Sequence, residues 1–215
     1  MANLKQSYFI TGTDTNVGKT YATVALMLHL QKNYSVIGMK PIASGCEWQD
    51  GELKNSDALL LQQHSSIVLP YSAINQYSYL EAVSPHLAAG DNPVELNKIK
   101  PALQHLQQQA DIVLVEGAGG WLAPINNHQT IEDMAVFLNL PVILVVAIRL
   151  GCINHACLSY RAIVGAGLNC AGWIANCLDS EMLKTDENIE SIKQRIDAPL
   201  LGVLPYQQQH ADFLI

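Results

Sequence analysis

Basic residues are scarce in this sequence of 215 residues: 12 Lys and Arg stand against 19 Asp and Glu, for a formal charge of −7 and an isoelectric point near 5.4. A nucleic-acid groove or a surface for anionic membranes needs a clustered positive footprint, so neither kind of partner is expected. Any anionic ligand must then be held by local cations and backbone N–H groups. Cysteine is sparse and poorly spaced for metal. Cys46, Cys152, Cys157, Cys170 and Cys177 are odd in number and contain no Cys-x-x-Cys pair, which points to free thiols in a reducing compartment and against a zinc site. The histidines show no His-x-x-x-His spacing, and His29, His105 and His155 read as surface or helix residues. Long apolar runs are also missing. LPVILVVAI, at 140–148, is too short to cross a bilayer, and the opening MANLKQSYFITG lacks a signal-peptide core, so a cytoplasmic protein is expected. No repeat, low-complexity linker or compositional boundary divides the chain. With 49% hydrophobic residues, positions 1–215 read as one compact domain.

What is present is an alternation of short β-rich runs with longer amphipathic ones, the pattern of a doubly wound, mostly parallel α/β sheet flanked by helices. Strands are expected at 7–11, 36–40, 111–116, 141–147, 171–175 and 200–204. DIVLVE, PVILVVA and AGWIAN are almost continuously apolar, as strands buried on both faces should be. Helices are expected at about 19–31, 57–64, 97–109, 131–138, 153–165 and 185–196, with Thr130 and Thr185 as N-caps. The segment 65–96 gives no clear pattern. Such a sheet binds ligands beyond the carboxyl ends of its strands. GTDTNVGKT, KPIASG, EGAGGW and IRLGCINH each follow a strand directly, so their shared edge is the expected site.

The first of these departs from the usual phosphate loop, in which four residues separate a glycine from Gly-Lys-Ser/Thr. Here five residues separate Gly12 from Gly18-Lys19-Thr20, and Thr13 stands where the glycine belongs. The context is nonetheless strand, glycine loop and helix N-terminus, where free N–H groups and the helix dipole both face an anion. Gly18 lets the backbone approach phosphate, Lys19 reaches the terminal phosphates, and the Thr20 hydroxyl is a candidate Mg²⁺ ligand. Glu116 closes a buried strand and is either a second metal ligand or a solvated strand-end carboxylate. Asp57 either caps a helix or binds metal. Lys40 is either a solvated strand terminus or a second cation for an anionic reactant, worth roughly 4 kcal/mol at ~4 Å in an effective dielectric of about 20. Ser44 lies in the loop beyond it. The glycines of GAGG at 117–120 form a tight turn or give a nucleotide close access. Trp121, Trp173 and the cysteines read as packing residues.

TGTDTNVGKT, KPIASG, NSDALLLQ, SPHLAA, VLVEGAGGWLAPI, LPVILVV, LGCINHA, AGWIAN and LLGVLP, in this order along nearly the whole chain, resemble the dethiobiotin synthetase family. That family carries the same lengthened loop, which opens room for an amine beside the γ-phosphate. The resemblance implies a P-loop NTPase-like fold and an ATP- and Mg²⁺-dependent ring closure of 7,8-diaminopelargonate with CO₂ or bicarbonate, through a carbamate and its phosphoric anhydride, in biotin biosynthesis. It assigns Lys19, Lys40 and Thr15 to catalysis, and Thr20, Asp57 and Glu116 to the metal. ATP would meet Asn16, Val17, Gly18, Lys19, Thr20 and Tyr21 in the loop, Asp57, then Glu116, Gly117, Ala118 and Gly119. Asn176, Leu204, Pro205 and Tyr206 match its adenine pocket. Thr15, Lys40 and Ser44 match the reacting end of the substrate. Gly151, Cys152, Ile153 and Asn154 match a grip on its carboxylate across a homodimer interface, with unpaired N–H groups expected near Cys152 and Ile153. Asn16 stands where many relatives carry an acidic residue, and the tail YQQQHADFLI is shorter than in many of them. Partitioning and scaffold ATPases share the fold and a deviant loop, but carry a lysine just after the first loop glycine, where this chain has Thr13. Related amide-forming ligases are disfavoured by LGCINHA and Lys40.

Overall fold

The computed structural model of the chain describes residues 6–208, 211 and 213–215. The signal-peptide reading of the N-terminus therefore rests partly on residues outside this range, as does that of the tail at Gln209, His210 and Asp212. The described elements are β1 (Gln6–Gly12), α1 (Lys19–Leu30), β2 (Val36–Met39), β3 (Ile42–Ser44), β4 (Glu47–Gln49), β5 (Glu52–Lys54), α2 (Ser56–Gln63), α3 (Tyr71–Ile74), β6 (Tyr77–Tyr79), α4 (Pro85–Ala88), α5 (Leu96–Gln107), β7 (Ile112–Glu116), α6 (Ile131–Leu138), β8 (Val142–Ile148), α7 (Cys152–Gly165), β9 (Cys170–Cys177), α8 (Thr185–Lys193) and β10 (Leu200–Leu204). The six long strands match the expected ones to within about two residues and pair in parallel in the order β10-β9-β8-β1-β7-β2. Every side chain of β7 and β8 is buried, which explains their unbroken Val, Ile and Leu runs: helices cover both faces, so no position faces water.

This order places the site. From β1 the chain travels out to the edge strand β2, returns to β7 beside β1, and then crosses to β8 on the other side of β1. The strand order reverses at β1, so a crevice opens beyond its carboxyl end, where the phosphate-loop sequence follows. Register sets the neighbours: Ile10 pairs with Glu116, and Gly12 with Val145.

Both outer strands have some of their outward backbone groups covered. The Ser66 and Ser65 hydroxyls accept from the Val36 and Gly38 N–H groups, and the Ser66 N–H donates to the Val36 carbonyl. At the other edge the Leu214 N–H donates to the Leu201 carbonyl, while Phe213, buried, meets His29 of α1 edge-on at 5.5 Å.

All six expected helices are present. Thr130 caps α6 in a reciprocal capping box with Asp133. Thr185 does not cap α8: Lys184, at φ 60°, takes the N-cap position, and the Thr185 hydroxyl donates back to the Met182 carbonyl. The stretch from Ile42 to Ala88 holds two strand pairs outside the main sheet, β3 with β6 and β4 with β5, and the short helices α3 and α4. Among the described residues no helix is long and apolar enough to cross a membrane.

Candidate active site

Residues 13–18 leave β1, wrap back and enter α1 at Gly18. Its φ of 79° favours glycine, and a Cβ there would lie 2.1 Å from the Asn176 amide nitrogen. That amide donates 2.9 Å to the Val17 carbonyl, tying the loop to the end of β9. Asp14 anchors its outer side: the carboxylate accepts from the Thr15 N–H at 2.7 Å and from Arg149 at 2.9 Å, and its carbonyl accepts from Lys19 Nζ at 3.0 Å. Lys19 is only 7% exposed, and burial pulls its ammonium down to about 8 against the opposing pull of Glu116.

A fully buried carboxylate organises the centre. Glu116 Oε1 accepts from the Thr20 hydroxyl at 2.7 Å and from Lys40 Nζ at 2.6 Å, and Oε2 lies 3.0 Å from the Thr23 hydroxyl. The Thr23 oxygen is also 2.8 Å from the Lys19 carbonyl, so its one proton serves either acceptor. Lys40 reaches Asp57 Oδ2 at 3.0 Å as well and bridges the two carboxylates. Burial opposes its charge, but Glu116 and then Asp57 outweigh burial and hold the ammonium above its ordinary value. The structure removes one alternative for each: Asp57 is not the cap of its helix, and Glu116 and Lys40 are buried rather than solvated. Asn55 caps α2 by accepting from the Asp57 and Ala58 N–H groups, which leaves the Asp57 carboxylate free for Lys40. Lys40 is held from behind too: its N–H donates to the Ile74 carbonyl, and its carbonyl accepts from Asn75 at 2.6 Å.

Lys19, Thr20, Lys40, Asp57 and Glu116 line a cleft of about 770 Å³. Of the expected residues it takes in Thr15, Asn16, Gly18, Lys19, Thr20, Tyr21, Lys40, Ser44, Asp57, Glu116, Ala118 and Gly119. The Ser44 hydroxyl is buried and has no hydrogen-bond partner among the described residues. Val17 is buried, and Gly117 packs beneath the cleft against Ile131 and Phe9. Asn176 and Leu204 are paired neighbours at the ends of β9 and β10, followed by the half-buried Pro205 and the exposed Tyr206. Gly151, Cys152, Ile153 and Asn154 are not among the lining residues and open α7 farther along the same sheet edge. The Cys152 N–H is not unpaired, because the turn after β8 directs it to the Arg149 carbonyl at 2.9 Å.

Sequence reading missed Thr23, Asn55 and the stretch Ala82 to Pro85, which also lines the cleft. Thr23 follows Thr20 by three residues on one helix, so both hydroxyls share a face. Ser84 followed by Pro85 has the form of a helix start.

A family model described as an AAA domain matches residues 6–212. Proteins named ATP-dependent dethiobiotin synthetase from Aromatoleum aromaticum and from Escherichia coli strain K12 are similar to this chain. The first is 46% identical over 204 residues, 94% of this chain and 91% of its own length; the second is 43% identical over 212 residues, 97% and 94%. Among solved structures, MinD from Aquifex aeolicus overlays with TM-score 0.56 at 17% identity, covering 94% of this chain and 83% of MinD. A ParA family ATPase from Chlorobium tepidum gives TM-score 0.56 at 13% identity, covering 95% and 85%. At those identities the overlays show the P-loop NTPase fold alone.

Proposed function

The chain belongs to the ATP-dependent dethiobiotin synthetase family, and from that premise we propose that it closes the cyclic urea of dethiobiotin from 7,8-diaminopelargonate, CO₂ and ATP. The observation that carries this reading is the convergence of two buried lysines, Lys19 and Lys40, on one cleft in a chain of net charge −7. A triphosphate meeting a second anion needs local positive charge. In the reaction one amine attacks CO₂ and loses a proton, giving a carbamate. The carbamate oxygen attacks the γ-phosphorus, and the bond to the β-phosphate oxygen breaks as ADP leaves. The second amine then attacks the carbamoyl carbon, expelling phosphate and losing a proton as the ring closes. Phosphoryl transfer is mostly positioning and charge stabilisation. Lys19 faces the terminal phosphates, Lys40 faces the carbamate and the transferring phosphoryl group, and Thr15 and Ser44 offer hydroxyls to the amine end.

Thr20, Asp57 and Glu116 provide only hard oxygen donors, which suits Mg²⁺, and the Lys40 ammonium lying between both carboxylates supports a place built for positive charge. When bound there, Mg²⁺ supplies charge neutralisation to the triphosphate. Adenine is assigned to Asn176 and Leu204 to Tyr206, beside the loop that the Asn176 amide holds. The substrate carboxylate is assigned to Gly151 to Asn154 of a second copy. Their position outside the cleft supports this, as do Leu150, 94% exposed, and Leu158, exposed on α7. We place the reaction in the cytoplasm. The test is to incubate purified protein with ATP, labelled bicarbonate and the diamine: acid-stable label should form with one ADP per product, and a lack of diamine-dependent label would overturn the proposal.

A further inference from the structure

Ser84 lines the same cleft as Thr15, Lys40 and Ser44, but its hydroxyl is already engaged. The oxygen lies 3.2 Å from the Pro124 carbonyl and 3.0 Å from Nδ1 of His86. A hydroxyl has one proton and two lone pairs, and a carbonyl only accepts. The proton therefore goes to Pro124, and His86 must carry its hydrogen on Nδ1 and donate to Ser84. The reverse arrangement, with the proton aimed at His86, leaves two lone-pair oxygens facing each other at 3.2 Å. One lone pair on Ser84 remains. Toward a ligand this hydroxyl accepts one hydrogen bond and donates none, unlike the Ser44 hydroxyl, which has no partner and can do either.

We propose that Ser84, with its polarity fixed by His86 and Pro124, is the acceptor that recognises an amine N–H of the substrate. The proposal rests on the diamine reading above and adds to it the group that reads a donor. Ala82, Val83, Pro85 and Ala123, lining the cleft beside it, are apolar and suit a methylene chain. An analogue without the amine leaves a half-buried acceptor unmet, and a carbonyl at that position sets two acceptors against each other. Either loss discriminates more sharply than a missing methylene.

The test is calorimetry in the presence of ADP, where no turnover occurs, with the diamine and with two monoamines, each lacking one of its amines. The wild type should bind one monoamine about tenfold or more weakly than the diamine. Ser84→Ala should bind the diamine about tenfold more weakly, lose most of that discrimination, and keep its KM for ATP. Ser84 makes no side-chain cap to α4, so this variant should keep the fold. His86→Phe should also weaken the diamine, and adding it to Ser84→Ala should change nothing further. Wild-type affinity or undiminished discrimination in Ser84→Ala overturns the amine acceptor alone. Failure of the wild type to bind the diamine at all overturns the diamine reading, and the acceptor with it.

Discussion

Thr23 is a buried hydroxyl that touches the Glu116 carboxylate without lining the cleft. Its oxygen lies 3.0 Å from the second oxygen of Glu116 and 2.8 Å from the Lys19 carbonyl, so it braces the carboxylate that Thr20 and Lys40 meet only when its one proton turns to Glu116. Thr23→Val keeps the shape and removes the donor. A hydrogen bond to a charged group is worth about 1.5–3 kcal/mol, an upper bound for a proton shared with the Lys19 carbonyl, so kcat should fall by up to about tenfold while the KM for the diamine holds, and Thr23→Ser should recover it. Steady-state kinetics on the three proteins decides this; unchanged turnover in the valine variant removes the role. Lys19 carries a pH signature. Its folded value near 8 lies below the ordinary 10.5, so its charged form is disfavoured in the fold. Between pH 8 and 10.5 the unfolded chain binds more proton, and stability rises with pH; below 8 both states are charged and the whole cost is present. Lys19→Met should therefore stabilise the ligand-free protein at pH 7 by up to about 3 kcal/mol, a gain that vanishes above pH 10.5. Arriving phosphate restores the proton. At pH 8, ATP binding should take up about half a proton in the wild type and none through position 19 in the variant, read by calorimetry in buffers of different ionisation enthalpy.

Elements explain what the sequence could and could not disclose. The six strands and six long helices were legible because each repeats its apolar pattern over enough residues to declare a period. Tyr77–Tyr79 and Ile42–Ser44 were not, since a strand of three residues has no period and its partner lies more than thirty positions away. The phosphate loop was legible because its spacing is local. Ser84, whose oxygen meets Pro124 forty residues on, had no such signal. At the start of α8 the hydroxyl of Thr185 has the form of a cap, but the preceding lysine adopts the left-handed conformation and takes the N-cap position instead. Asn55 is the cap that matters to the site, because it frees Asp57. Asn55→Ala should cost about 1 kcal/mol in chemical denaturation and also raise the KM for ATP as α2 frays beneath Asp57. A stability loss with unaltered KM would separate the helix from the site.

On the scale of the whole molecule, the cleft and the Gly151 to Asn154 turn lie on one sheet edge but do not meet within one chain. If a second copy supplies the turn, a hybrid of Lys40→Ala and Asn154→Ala subunits holds one site with both defects and one with neither. Random mixing should then restore about a quarter of the wild-type sites, above either parent alone. Activity in the mixture no higher than the parents' mean would show the sites to be self-contained. The covered edges of the sheet bear on how copies can meet. Six parallel strands end in two rims that would otherwise template another chain, and Ser65, Ser66 and Leu214 occupy them. Those contacts hinder lateral growth of the sheet. Removing residues 213–215 uncovers the β10 rim. If residues 213–215 guard the chain against fibrous self-association, the shortened protein should scatter light and bind amyloid dyes on warming well before it loses helical signal; aggregation unchanged from the full chain removes that role.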